Sequence, residues 1–319
     1  MQKGLRIVFM GTPDFAVESL DILVKNAYNI VGVITAPDKP AGRGRQLQQS
    51  AVKKYAIAHQ LHLLQPEKLK DENFLAELRA LKADLQIVVA FRMLPETVWN
   101  MPPLGTFNLH ASLLPQYRGA APINHSIING ETKTGVTTFF LNNEIDTGKI
   151  IFQSSTSIGA EETAGELHDR LMLMGAELVL KTVKAIETKS YPQVEQNGAP
   201  VLKSAPKIFK EDCRVNWGKD IYSIYNHIRG LSPHPGAFTE LISAKGEKVS
   251  VKIYKCSLEE LDHQYKTGEV VSDHKTYLKI AVKRGFIVLT EIQMAGKNRM
   301  NIHDFLRGFN MKDVWEAFI

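Results

Sequence analysis

At 319 residues the chain is long enough for about two domains of about 150 residues each. Hydrophobic residues make up 44% and charged residues 23%, a balance that supports buried cores and excludes wholesale disorder. Its 39 Lys and Arg against 34 Asp and Glu leave a formal charge of +5, which admits an acidic partner but falls short of a dedicated nucleic-acid binder.

No apolar run reaches the roughly 18 residues of a membrane span, and the first strand-like run starts too near the N-terminus for a signal or transit peptide. A cytoplasmic, bacterial protein is expected. Leu5-Arg6-Ile7-Val8-Phe9-Met10 ends at Gly11-Thr12-Pro13-Asp14, after which Phe15, Leu20, Leu23 and Val24 keep a helical spacing. Ile30 to Thr35 and Leu85 to Ala90 are further β-branched, apolar runs set between helical stretches. Buried strands alternating with helices predict a parallel sheet, so the first half reads as α/β. A fourth strand is predicted over Phe107 to Leu114, and two more over Thr134 to Leu141 and Lys149 to Ser155.

Thr163-Ala164-Gly165-Glu166 has the form of a capping box, and Leu167, Leu171, Met174, Leu178 and Val179 continue it as a long amphipathic helix. From Tyr191 to Pro206 the chain is polar and rich in breakers, which places a linker at 191–208 between a first domain, 1–190, and a second, 209–319. The second domain opens with a short helix, Ile221 to Ile228. Alternating runs follow at Val249 to Tyr254, Gly268 to Val271, Leu278 to Val282 and Phe286 to Ile292, and short strands with turn signals suggest a small OB-like barrel. Basic and acidic residues nearly balance over 1–190, so the positive excess lies mainly in the C-terminal part.

Gly11-Thr12-Pro13-Asp14 stands where a dinucleotide fold would carry its glycine fingerprint, but it has one glycine and Pro13 lacks an amide for phosphate, which disfavours a nicotinamide cofactor. Asn108 and His110 are two apart on a strand and so project from one face near its carboxyl end, where open α/β sheets hold their sites. Asp146, in the polar stretch Asn142 to Gly148, is a carboxylate able to orient His110, although alone it would read as a turn residue. Ser112 lacks the glycine-flanked elbow of a nucleophile, so direct transfer to a substrate nucleophile, with no covalent enzyme intermediate, fits better. Lys39, Arg43, Arg45, Lys53 and Lys54 form a basic loop that overhangs the usual site face and could hold phosphates. His59 and His62 read as helix surface, no metal is assigned, and Cys213 and Cys256 read as buried thiols.

Phe107-Asn-Leu-His-Ala-Ser-Leu-Leu-Pro-Gln-Tyr-Arg-Gly-Ala-Ala-Pro122, followed by Ile145-Asp146-Thr147-Gly148, resembles the signature of the folate-dependent formyltransferases. Gly11-Thr-Pro-Asp-Phe-Ala16, Pro37-Asp-Lys-Pro-Ala-Gly-Arg-Gly-Arg45 and Gln293-Met-Ala-Gly-Lys297 extend the resemblance nearly end to end, toward the tRNA-directed branch of that family. The resemblance implies a Rossmann-like formyltransferase domain with a C-terminal OB-like β-barrel domain. It implies transfer of the formyl group of 10-formyltetrahydrofolate to the α-amine of methionine on initiator methionyl-tRNA; a monomeric chain without membrane partners is expected. Carried over by position, it makes Asn108, His110 and Asp146 catalytic, places Ser112, Leu113, Leu114 and Pro115 against the folate, and Lys39, Arg43 and Arg45 against tRNA.

Two positions depart from the family pattern. Ala90-Phe91-Arg92-Met93-Leu94-Pro95 is one residue shorter than the family's Ala-Tyr-Gly-x-x-Leu-Pro and carries an arginine at the border of the expected folate pocket. Ala111 replaces a common glycine. A formyltransferase for glycinamide ribonucleotide or an amino sugar is the nearest rival reading, since the trio is indifferent to which amine attacks. A catalytically silent tRNA-binding protein, or a hydrolase releasing formate from the same donor, are rivals of other classes.

Overall fold

The structure is a computed structural model and describes residues 3–41, 46–196, 201–243, 245–246, 248–308 and 315–317. Two compact units are present. The first comprises Met1–Gly119, Thr134–Thr156 and His168–Ser204, and the second Ala120–Lys133, Ser157–Leu167 and Ala205–Ile319.

In chain order the first half contains β1 (Lys3–Gly11), α1 (Val17–Lys25), β2 (Tyr28–Ile34), α2 (Ala51–Ala58), β3 (Leu63–Leu64), α3 (Glu72–Ala80), β4 (Leu85–Val89), β5 (Thr106–His110), α4 (Pro122–Ile128), β6 (Lys133–Phe140), β7 (Ile150–Ser157) and α5 (Ala164–Glu187). One seven-stranded sheet runs in the order β7-β6-β5-β4-β1-β2-β3. Strands β1 to β5 are parallel where they pair, and β6 runs antiparallel to β5. Ile7, Val8, Phe9 and Met10 have no exposed surface, and all of β4 is buried, which explains why these stretches, Gln86 apart, are apolar throughout rather than alternating. Ser50 and Asp71 cap α2 and α3 by accepting backbone N–H groups that a helix start leaves free. Gly175 of α5 lies where a Cβ would come within 2.6 Å of Leu109, so the missing side chain lets this helix settle close onto β5.

The predicted strand over Phe107 to Leu114 stops at His110. Beyond it the ladder gives way to side-chain bonds: Thr137 Oγ1 donates to the Ser112 carbonyl at 2.6 Å and accepts from the Leu114 amide at 3.2 Å. The capping box forms as expected, with the Thr163 amide donating to Glu166 Oε2 at 2.8 Å and the Glu166 amide to Thr163 Oγ1 at 3.3 Å. The Thr163 amide, together with the Thr163 hydroxyl donating to Oε2 at 2.8 Å, holds the Glu166 carboxyl below its ordinary value.

The second unit adds α6 (Ile221–Leu231), β8 (Ala237–Ser243), β9 (Lys248–Glu260), β10 (Val270–Ser272), β11 (Leu278–Val282), β12 (Gly285–Met294), α7 (Ile302–Gly308) and β13 (Trp315–Ala317). Its antiparallel sheet runs β10-β11-β12-β9-β8-β13, with Met300–Asn301 paired to β12. Register shifts around Lys255 let the 13-residue β9 bend. At the far edges the Ala317 amide donates to the Gly268 carbonyl at 2.7 Å, so the sheet curls toward closure in the manner of an OB-like barrel. Trp217, Ile224, Ile228, Val251, Ile253 and Ile287 fill its interior.

The units do not follow the chain as a division at 191–208 would. Arg229 of α6, buried, donates to the carbonyls of Gly159 (3.1 Å) and Glu162 (2.8 Å), and Asn124 of α4 donates to the Gly230 carbonyl at 2.7 Å. Segments 120–133 and 157–167 therefore pack with the C-terminal residues. Nor is the first part of the expected linker a free tether: Val194 exchanges backbone bonds with Ile150, and Gln196 is bonded on both ends of its amide. Breakers mark where helical and strand periods stop, not what a segment bonds to.

Candidate active site

The carboxyl end of β5 places two members of the expected trio, Asn108 and His110. Asn108 lies between Val88 of β4 and Phe139 of β6, and His110, next on the same face, is paired with Thr137. His110 is buried. Its Nε2 lies 2.8 Å from the Tyr117 carbonyl, and its Nδ1 is 3.8 Å from Asp146 Oδ2. The Phe139 ring meets the imidazole edge-on, with 6.5 Å between centroids. Asn108 Oδ1 is buried with no hydrogen-bond partner among the described residues. An unmet buried polar atom costs about 1–3 kcal/mol, and such a cost concentrates where a ligand completes the bonding.

Asp146 sits in the connection between β6 and β7 with φ +55, the left-handed region that few non-glycine residues enter. Its Oδ2 accepts the Gly119 amide at 2.9 Å. Two residues on, Gly148 leaves no room for a side chain, since a Cβ there would fall 1.7 Å from the Phe140 carbonyl oxygen. This connection is therefore pressed against β6, and the carboxylate is aimed at the ring by backbone rather than by a flexible turn. Tyr117 and Gly119, which complete the site, carry no side-chain signal in the sequence because both act through backbone atoms.

Of the residues expected against folate, Ser112 and Leu114 are buried, while Leu113 and Pro115 keep partial exposure. Ser112 Oγ donates to the Gln116 carbonyl at 2.6 Å, and Gln153 Nε2 donates to the Leu114 carbonyl at 2.8 Å, so this turn is fixed from within. The shortened Phe91 to Pro95 segment is anchored by its unexpected arginine: Arg92 donates to the carbonyls of Pro66 and of Glu67, the latter at 2.7 Å. Ala90, just before it, takes φ +47.

Lys39 is exposed, on a short strand Lys39–Ala41 that pairs with Gln46–Gln48, while Arg43 and Arg45 lie outside the described residues. Lys53 is not free for phosphate, because its Nζ is 2.6 Å from Asp38 Oδ2, and this bond holds the Asp38 carboxyl below its ordinary value. Gly11 serves packing, a Cβ there falling 2.6 Å from that of Ala16. His59 stacks on Tyr55, His62 lies 3.6 Å from Glu77, and among the described residues no three His, Cys, Asp or Glu side chains are grouped to hold a metal. Cys213 is buried, Cys256 is partly buried, and desolvation raises both thiols, Cys256 to about 12.

Residues 5–183 match the family model described as formyl transferase, and 207–310 match that of the formyl transferase C-terminal domain. The chain belongs to the formyl transferase family. This formyl transferase is 59% identical over 313 residues to the methionyl-tRNA formyltransferase of Parabacteroides distasonis, with 97% of each chain covered. It is 56% identical over 318 residues to that of Flavobacterium johnsoniae, with both chains covered entirely. Among solved structures its fold is shared with an N-formyltransferase from Helicobacter canadensis bound to folinic acid and dTDP-3-aminofucose, at TM-score 0.63 and 22% identity over 89% of this chain and 98% of that one. Aquifex aeolicus HypX with tetrahydrofolic acid gives TM-score 0.64 at 18% identity over 98% of this chain and 51% of that one.

Proposed function

We propose that this formyl transferase moves the formyl group of 10-formyltetrahydrofolate onto the α-amine of methionine carried by initiator methionyl-tRNA. The observation that carries this reading is the end-to-end similarity, through both family-matched stretches, to bacterial enzymes of that name. In the reaction an N–C bond forms between amine and formyl carbon, the bond from formyl carbon to folate N10 breaks, and one proton passes from the amine to N10.

The tetrahedral intermediate carries negative charge on the former formyl oxygen, and donors fixed in advance around that oxygen lower its energy. Asn108 supplies a neutral amide donor and His110 a ring that becomes cationic, with Asp146 holding the ring's orientation and balancing its charge. The proton moves through His110 or a water at its edge beside Asp146. No side chain attacks the formyl carbon. We assign Ser112, Leu113, Leu114 and Pro115 to folate binding, and Lys39, Arg43 and Arg45 to tRNA binding. We read the chain as a cytoplasmic bacterial monomer; among the described residues no helix is long and apolar enough to cross a membrane.

The test is incubation with 10-formyltetrahydrofolate and, separately, methionyl-tRNA, glycinamide ribonucleotide and a nucleotide-linked amino sugar. Formylated methionyl-tRNA as the main product supports the assignment. A preference for either small amine, or formate release without an acceptor, overturns it.

A further inference from the structure

We infer that Gln196, in the stretch between the two family-matched regions, is a positioning residue for Asp146. Its side-chain amide uses every bond it can make. Nε2 donates to the carbonyls of Asp146 (2.9 Å) and Gly148 (2.8 Å), while Oε1 accepts from Arg118 Nε (3.1 Å) and Nη2 (2.7 Å). One planar group thus ties the loop that carries the carboxylate to the turn that carries Tyr117 and Gly119, the two residues whose backbone bonds hold the His110 ring and the Asp146 carboxylate.

Backbone geometry gives this tie its importance. Asp146 has φ +55, a conformation that L side chains adopt at a cost and hold only where the surroundings enforce it. Gly148 is pressed against the Phe140 carbonyl of β6, and Gln196 Nε2 holds the carbonyls of residues 146 and 148. A side chain that cannot donate there frees Asp146 to turn its carboxylate away from Nδ1. Catalytic groups tolerate little displacement, a shift of about 1 Å costing about 10²-fold in rate. Lys149 pairs with Glu195 at 3.1 Å on the exposed flank, beside the Arg118 and Asp146 that Gln196 joins.

This inference rests on the reading of Asp146 as the partner of His110, and the variants separate the two. Gln196→Glu keeps the acceptors for Arg118 and removes both donors to the loop; Gln196→Met removes all four bonds without adding charge. Formylation of methionyl-tRNA by the full chain is measured against pH for both, for Asp146→Asn and for the Gln196→Met/Asp146→Asn double variant. We expect kcat to fall about tenfold to about 100-fold in both Gln196 variants, with KM for either substrate within about twofold. Their pH–kcat profiles should move in the direction that Asp146→Asn moves its own, the ring-nitrogen resonances of His110 should shift, and the double variant should lose less than the product of the single losses. A lowered Tm with unchanged kcat, pH profile and His110 resonances would make Gln196 merely structural and overturn the inference. If Asp146→Asn itself leaves rate and profile unchanged, the reading of Asp146 fails and the inference fails with it.

Discussion

The carbonyl of Tyr117 lies 2.8 Å from Nε2 of His110. A carbonyl only accepts, so Nε2 is the donor in this contact and Nδ1 is the ring nitrogen left on the side of Asp146. Tyr117 reaches this position with φ +59, held by its own amide donating to the Lys203 carbonyl at 2.6 Å. In the proposed mechanism each ring nitrogen thus has an acceptor of its own, the Tyr117 carbonyl for Nε2 and the Asp146 carboxylate for Nδ1.

For this reason His110→Ala and Asn108→Ala should each lower kcat by about 10² to 10⁴, the range for loss of an acid–base group or an oxyanion donor. Asp146→Asn should lose a comparable factor and shift the pH–rate profile, because it keeps the shape and removes the balancing charge. Near-normal turnover in any of the three, with Tm unchanged, would remove that residue from the chemistry.

Arg43 falls in the basic stretch that begins at Lys39. A lysine conserves charge but not the planar, forked donor geometry that grips a phosphate or base edge. Arg43→Lys and Arg43→Ala should therefore both impair formylation of methionyl-tRNA while leaving binding of 10-formyltetrahydrofolate unchanged. Full activity in the lysine variant would reduce the residue to a point charge, and loss of folate binding would move it to the donor side.

Side chains were more legible in the sequence than backbone. The spacing of Asn108 and His110 on one strand and the carboxylate at Asp146 are properties of residue types, and the family resemblance carried the same three positions. What closes the site is conformational: the left-handed backbone at Tyr117 and Asp146, the Gly119 amide, and a glycine at 148 required by contact with Phe140. None has a local pattern, since each depends on segments that meet only in the fold. Likewise the breakers of 191–206 announce the end of α5 but not the bonds of Gln196, and strand β8 passes unnoticed between clearer signals.

Packing makes a further expectation about truncation. A fragment ending at Tyr191 retains 120–133 and 157–167 but loses Arg229 and Gly230, to which those segments are bonded. It also loses Val194 and Gln196. Such a fragment should aggregate or unfold without a sharp transition. A soluble fragment with a cooperative melt and intact folate binding would show that the two segments stand without the C-terminal residues.

His227 of α6 supplies the pH dependence. Desolvation lowers its pKa from 6.5, with Lys219 adding to the effect, while the backbone of Cys213 and Arg214 and the Asp212 carboxylate oppose it. Its Nε2 has no hydrogen-bond partner among the described residues, so a proton placed there gains no bond. In the window below about 6.5, down to the folded-state value, the unfolded chain binds a proton that the folded chain refuses. Stability then rises with pH through that window, and this contribution is lost as pH falls through it. Replacing His227 by Gln removes the titration and keeps a polar side chain. Thermal melts of both proteins at pH 7 and pH 5 should show a smaller acid-induced fall in Tm for His227→Gln than for the natural chain. Parallel falls in the two proteins would mean that His227 takes up its proton in the folded state as readily as in the unfolded one.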